Sequence, residues 1–233
     1  MKIIAGNWKM NGTRDALRTM VDALGGVETN NTVILCVPYT MLGIDGGRVA
    51  LGAQDVSMHD HGAYTGEVSA SMIAETGAKY VIVGHSECRQ YHCDNNNTVR
   101  QKAAAVLAAG MTPIICVGET MAEKEAGKAM AVIESGVRES IPENARGVIV
   151  AYEPRWAIGA GITPTADDIA AAHQLIADTL DRMNLGGTPV LYGASVKGNN
   201  AAEIMSIAHV DGVLVGGASL KPDDFIPIIT SVK

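Results

Sequence analysis

Cysteine is scarce in this 233-residue chain. Cys36, Cys88, Cys93 and Cys116 are too few and too scattered for a disulfide scaffold, and fit reduced thiols in a cytosolic protein. No apolar run reaches the roughly 18 residues a membrane span needs. Polar groups interrupt the first seven residues before a signal region forms, so a cytoplasmic protein is expected. Basic residues are outnumbered, 18 against 25, and the resulting charge of −7 argues against a general binder of nucleic acid or anionic membrane. It leaves room for a local basic pocket that holds a small anion. Linkers, low-complexity tracts and charge runs are missing too, so residues 1–233 read as one domain.

What is present is a large apolar fraction, 47% against 18% charged, enough to exclude a disordered chain and to fill a sizeable core. Short, often β-branched apolar runs alternate with longer amphipathic stretches. The runs fall at 2–7, 32–37, 50–54, 79–83, 111–117, 147–151, 188–192 and 212–215, each ending at Gly, Pro or a polar residue. Helical periodicity is clearest at 14–24, 98–109, 121–139, 166–183 and 200–207. Thr165 followed by Asp167 and Asp168 reads as a capped helix start. The second helix, 41–48, carries Gly43, Gly46 and Gly47 and is expected to be truncated. Eight strands and about eight helices predict an α/β fold, a closed parallel (β/α)8 barrel, with a doubly wound open sheet as the alternative.

In such a barrel the chemistry sits where strands end. Asn7, Lys9, His85 and Glu153 stand at four of those ends, an acid–base set beside an anion-binding charge. Side-chain alternation puts Asn7 with Lys9, and Glu153 with Ile149 and Ala151; it also puts His85 with Val81 and Val83. Singly, each has a plainer role: a structural histidine, a strand-ending carboxylate before Pro154, a solvated lysine. Their joint placement is the stronger observation. Gly193-Ala194-Ser195 and Gly216-Gly217 follow the last two strands, where backbone N–H groups often bind phosphate. Residues 154–163, with two glycines directly after Glu153, have the make-up of a lid.

These residues resemble the triosephosphate isomerase family along nearly the whole chain. The resemblance is carried by Ala5-Gly6-Asn7-Trp8-Lys9-Met10-Asn11, Gly62-Ala63-Tyr64-Thr65-Gly66-Glu67, Val83-Gly84-His85-Ser86-Glu87 and Cys116-Val117-Gly118-Glu119. It continues through Ala151-Tyr152-Glu153-Pro154, Trp156-Ala157-Ile158-Gly159, Tyr192-Gly193-Ala194-Ser195-Val196 and Leu214-Val215-Gly216-Gly217. It implies interconversion of glyceraldehyde 3-phosphate and dihydroxyacetone phosphate with no metal or organic cofactor, in glycolysis and gluconeogenesis. By the same resemblance Glu153 is the base, His85 the neutral electrophile and Lys9, helped by Asn7, the stabiliser of the enediolate. For the first two roles this family is itself the standard worked case, and they rest on the resemblance alone. Backbone N–H groups of Gly159, Ser195, Gly216 and Gly217 would hold the phosphate. Ile158 and Leu214 would form an apolar clamp, and Glu87 and Cys116 would support the site. For Cys116 plain core packing is the preferred reading. The loop 54–69 resembles an arm that docks on a second copy, placing Thr65 near the partner's mouth in a homodimer.

The chain departs from the family pattern at Arg155, where a small apolar hinge residue is usual, and at Ala160, Ile162, Ala194 and Cys88. His92-Cys93-Asp94 replaces the usual Phe-Gly-Glu. Three other readings remain. His59 and His61, with His92 and Cys93, could hold a metal. The barrel could be an inactive phosphate-binding scaffold, or it could isomerise a larger sugar phosphate.

Overall fold

A computed structural model describes residues 1–158 and 164–232. Eight parallel strands close into a barrel in chain order: β1 (Ile3–Asn7), β2 (Thr32–Cys36), β3 (Ala50–Ala53), β4 (Tyr80–Val83), β5 (Thr112–Val117), β6 (Ile149–Tyr152), β7 (Val190–Tyr192) and β8 (Gly212–Val215). Closure is set by β1, which pairs with β2 through Ile3↔Thr32 to Asn7↔Cys36 and with β8 through Ile3↔Gly212 to Gly6↔Val215. The helices are α1 (Arg14–Gly25), α2 (Ala70–Glu75), α3 (Ser86–Tyr91), α4 (Asn96–Ala108), α5 (Met121–Glu125), α6 (Ala129–Ser140), α7 (Ala166–Arg182), α8 (Ala201–Ser206) and α9 (Pro222–Ile229).

Strand alternation sorts the core into two compartments. Ala5, Ile34, Cys36, Ile82, Ile114, Cys116, Ile149, Ala151, Leu191 and Leu214 touch one another from opposite walls and fill the barrel. Their neighbours in sequence, such as Ile4, Leu35, Val81, Val83, Ile115 and Val150, point outward and pack under the helices. Purely parallel strands are covered on both faces, which is why each reads as a continuous apolar run. α1 shows how a helix is fixed to the barrel. Thr13 caps it by accepting from the Ala16 N–H, and Leu17, Met20 and Leu24 recur at spacing three and four to form its buried stripe. Each such side chain contributes about 1.5–3 kcal/mol by leaving water, so Leu17→Ala would loosen this contact first.

The helical readings need two corrections, and the expected truncation of the second helix is seen. The stretch 121–139 is two helices, because Gly127 adopts φ +67 and ends α5 before α6 begins. The expected second helix is reduced to a single 3-10 turn, Tyr39–Met41; Gly43 and Gly47 beyond it are also in the left-handed region. Finally, α2, α3 and α9 form where periodicity marks no helix. α2 and α3 are six residues each, too short to show a period, and α9 reads as an apolar run broken by Pro227.

Candidate functional site

The strand ends of β1, β4, β6, β7 and β8 bring Asn7, Lys9, His85, Glu153, Ile158, Ser195, Leu214, Gly216 and Gly217 onto one cleft of about 350 Å³. Gly159, Ala160 and Ile162 lie outside the described residues. Asn7 follows from alternation: Ala5 points into the barrel, and Asn7 is next on that side, buried at its mouth. Glu153 likewise follows Ile149 and Ala151, both interior. Its backbone docks onto β5, donating to the Val117 carbonyl at 2.8 Å. Only glycine is tolerated opposite, because a Cβ on Gly118 would meet the Glu153 carbonyl oxygen at 1.7 Å.

His85 arrives by another route than the one expected. Val81 and Val83 face the helices, so simple continuation would send His85 outward. Gly84 breaks the alternation with φ +67 and turns the chain back to the mouth. His85 then sits as the cap of α3, with Nδ1 accepting the Glu87 backbone N–H at 3.2 Å. That fixes the tautomer: Nδ1 is an acceptor, so the ring proton belongs on Nε2. Nε2 points at Glu153 Oε1, 2.9 Å away, and Glu153 Oε2 accepts the Ser86 backbone N–H at 2.9 Å. Sequence reasoning misses the Ser86 donor. Nothing in a sequence marks a backbone N–H, although its place at the first turn of a helix beginning on a site histidine is the available signal.

Burial sets the electrostatics of the pair, and each partner corrects it. Desolvation disfavours the Glu153 carboxylate, but His85, the Ser86 N–H and Lys9 together hold its pKa below the ordinary value. Desolvation also disfavours the His85 imidazolium, and the facing Glu153 outweighs it and raises the ring. Both shifts depend on the 2.9 Å contact.

Lys9 occupies the left-handed region, φ +54, which costs a non-glycine residue about 1–2 kcal/mol. Two bonds hold it there. Its N–H donates to Asn7 Oδ1 at 3.0 Å, and its carbonyl accepts from Gln54 Nε2 at 2.9 Å. The ammonium reaches Glu87 Oε1 at 2.7 Å, so Glu87 does contact a residue of the site it is expected to support. A Cβ on Gly216 would stand 3.6 Å from the Lys9 Cε, and one on Gly193 would stand 3.0 Å from the Glu153 Cγ. These glycines therefore bring bare backbone close to the two charged groups. Ala194 is not among the residues with positive φ, so its methyl carries no backbone strain.

Glu119 ties down the start of the segment, just after β6, that is expected to form a lid. Its Oε1 accepts from the Trp156 indole at 2.6 Å and the Tyr152 hydroxyl at 3.2 Å, and its carbonyl accepts the Arg155 N–H at 3.0 Å. Arg155 is thus fixed through its backbone, with a half-buried side chain. Cys116 lies in the barrel interior, where burial and then Glu153 push its thiol well above its ordinary pKa. Such a thiol stays protonated, in keeping with a packing role. Thr65 sits at the exposed tip of its loop, which is braced by the Ser57 N–H on the Val68 carbonyl and by His59 stacked on Tyr64 at 3.9 Å.

A sequence model of the triosephosphate isomerase family matches residues 2–232. This chain belongs to the triosephosphate isomerase family. It is 45% identical to the triosephosphate isomerase of Acidiphilium cryptum, with 99% of this chain and 98% of that one aligned. It is 46% identical to that of Paracidovorax citrulli over the same shares. The crystal structure of triosephosphate isomerase from Bartonella henselae superposes with a TM-score of 0.90 at 39% identity, covering 99% of this chain and 98% of that one. The family's chemistry is an intramolecular isomerisation, and the closed barrel is the fold it shares with that structure. No helix among the described residues is long and apolar enough to cross a membrane.

Proposed function

We propose that the chain interconverts D-glyceraldehyde 3-phosphate and dihydroxyacetone phosphate by proton transfer through an enediolate. Glu153 is the base, His85 the electrophile, and Lys9, positioned by Asn7, the electrostatic stabiliser. The observation that carries this reading is the direct 2.9 Å contact between His85 Nε2 and Glu153 Oε1, with the Lys9 ammonium on the same cleft. A carbonyl substrate fits by separating the pair. Its oxygen takes the Nε2–H, and the adjacent carbon faces the carboxylate. Glu153 removes the proton from that carbon, the C–H electron pair forms the carbon–carbon double bond, and the carbonyl π pair moves onto oxygen. The oxygen is met by His85 and Lys9. The neighbouring hydroxyl proton passes to that oxyanion, and the neighbouring oxygen's electrons form the new carbonyl. The double-bond pair takes the proton back from Glu153 at the former carbonyl carbon, which completes the isomerisation.

Parting from His85 also strengthens the base. The His85 contact that helped hold Glu153 down is lost and its desolvation remains, which raises the proton affinity of the carboxylate. Donors already aimed at the developing oxyanion need no reorganisation, and each can supply about 3–4 kcal/mol in the transition state. The phosphate is held by backbone N–H groups of Ser195, Gly216 and Gly217, joined by Gly159. Ile158 and Leu214 cover the reacting carbons, excluding water from an intermediate that can otherwise eliminate phosphate. The chemistry requires no metal or organic cofactor. The loop tip at Thr65 docks on a second copy in a homodimer, and the enzyme works in the cytoplasm in glycolysis and gluconeogenesis.

The test is steady-state isomerisation of glyceraldehyde 3-phosphate coupled to NADH oxidation by a dihydroxyacetone-phosphate reductase. Turnover by the parent and its loss in a folded Glu153→Gln variant is the expected result. Parent protein that is folded but inert toward this substrate, or a variant that keeps its rate, would overturn the proposal.

A further inference from the structure

A second cluster of chemistry-bearing side chains lies outside the proposed isomerase machinery. Cys88 is on α3 and His92 immediately follows that helix, four residues on from Cys88, so both project to one side. That side faces Asp55, just beyond β3. The Cys88 sulfur, a His92 ring nitrogen and an Asp55 carboxylate oxygen all lie within 4.8 Å of one another, and His92 Nδ1 is 3.9 Å from Asp55 Oδ2. All three line a cleft of about 660 Å³ that also contains Lys9 and Glu87. We propose that Asp55, Cys88 and His92 bind a divalent transition cation of the zinc class, at a site that takes no part in the isomerisation.

The donor set selects the cation. Thiolate, imidazole and carboxylate together suit zinc and its neighbours, whereas magnesium and calcium prefer oxygen alone. Tetrahedral bonds of about 2.0–2.3 Å separate ligand atoms by roughly 3.3–3.8 Å, so atoms within 4.8 Å of one another need close by no more than about 1.5 Å. The His92 side chain, 65% exposed, has room to move toward Asp55. Three protein ligands leave the fourth position open to the cleft.

Charge points the same way. Asp55 and Asp94 share one cation, Lys102, whose ammonium reaches both oxygens of each carboxylate at 2.8–3.0 Å. Two carboxylates and one ammonium leave one negative charge. When the cation forms its bond to sulfur, the thiol proton leaves for solvent, and the two negative charges then present equal the two positive charges added. Asp55 remains able to bind while held by Lys102, since a carboxylate offers about four lone-pair directions.

Cys88 and His92 both stand at positions where this chain departs from the family pattern, so the site is a property of this sequence. It is also a different cluster from the one the sequence suggested. Of those candidates only His92 takes part; His59 stacks on Tyr64, and His61 and Cys93 are exposed.

The experiment is titration of tag-free, chelator-treated full-length protein with Zn2+ by calorimetry and with Co2+ by absorbance. One ion per chain is expected for the parent and for Cys93→Ser, with a sulfur-to-cobalt charge-transfer band in both. Cys88→Ser should lose the band. Both Cys88→Ser and His92→Gln should weaken Zn2+ by more than the roughly 10- to 100-fold that loss of a mere supporting partner costs. His92 is exposed, so that variant keeps its fold. Absence of binding by the parent, or affinity unchanged in Cys88→Ser and His92→Gln, would overturn the site.

Discussion

Gly84→Ala tests how His85 reaches the mouth of the barrel. Two costs can be worked from the structure. The backbone at Gly84 has φ +67, where a side chain costs about 1–2 kcal/mol. The new Cβ would also stand 2.5 and 2.8 Å from the two methyl carbons of Val99, inside the packed layer between β4 and α4. Relieving that overlap costs about 1–3 kcal/mol more. The total is about 2–5 kcal/mol, measured as a fall in unfolding free energy in urea. If the chain relaxes by turning φ negative, His85 leaves Glu153 and turnover falls with stability. Removing the obstructing methyls separates the two contributions. The loss in Gly84→Ala/Val99→Ala should be smaller than the sum of the single losses by about 1–3 kcal/mol, because the overlap is gone and only the backbone cost remains. A Gly84→Ala protein within about 0.5 kcal/mol of the parent, with unchanged turnover, would refute the reasoning.

Other perturbations probe separate parts of the molecule. Lys9→Met should lower kcat/KM by at least about a hundredfold, the scale for losing one preorganised donor, and unchanged kinetics would remove Lys9 from the mechanism. Lys102→Met leaves Asp94 and Asp55 facing each other without their cation, and should cost about 3–5 kcal/mol in urea unfolding. His173 is fully buried between Tyr152 and Tyr192, with Nδ1 bonded to the His209 carbonyl and Nε2 unpartnered; burial pulls its pKa from 6.5 to about 4. Between those values the unfolded chain binds the proton and the folded chain does not. Stability should therefore fall by about 1.4 kcal/mol per pH unit on acidification through this window, and His173→Gln should flatten that slope in pH-dependent unfolding. Trp156→Phe deletes the 2.6 Å donor to Glu119 at the hinge, and stopped-flow binding of a substrate analogue should show altered lid kinetics.

The barrel was legible in the sequence because parallel strands buried on both faces leave unbroken apolar runs, and all eight strands lie where those runs stand to within two residues at either end. Boundaries moved by one or two residues where a run outlasts its strand, as at Val37, which lies past the end of β2 although its N–H still bonds the Gly52 carbonyl on β3. Asn7 and Glu153 were legible as well, since each obeys alternation with interior neighbours. His85 was found at a strand end for the wrong local reason: a single glycine conformation overrides the period, and no pattern of side chains encodes a backbone angle. The bond from Ser86, the clamp of Gln54 on Lys9 and the grouping of Cys88 with Asp55 were illegible because each joins segments far apart in sequence, or uses backbone groups common to every residue. The short helices α2 and α3 fail for another reason: six residues complete fewer than two turns, so tertiary contacts and caps, not periodicity, make them helical.

The central claim is that one carboxylate, Glu153, carries a proton between adjacent carbons through an enediolate. Isomerisation of glyceraldehyde 3-phosphate in D2O, followed by NMR, tests it directly. Deuterium should enter C1 of the dihydroxyacetone phosphate formed, and both the exchange and the turnover should vanish in Glu153→Gln. Turnover or deuterium incorporation that survives the substitution at the parent rate would contradict it.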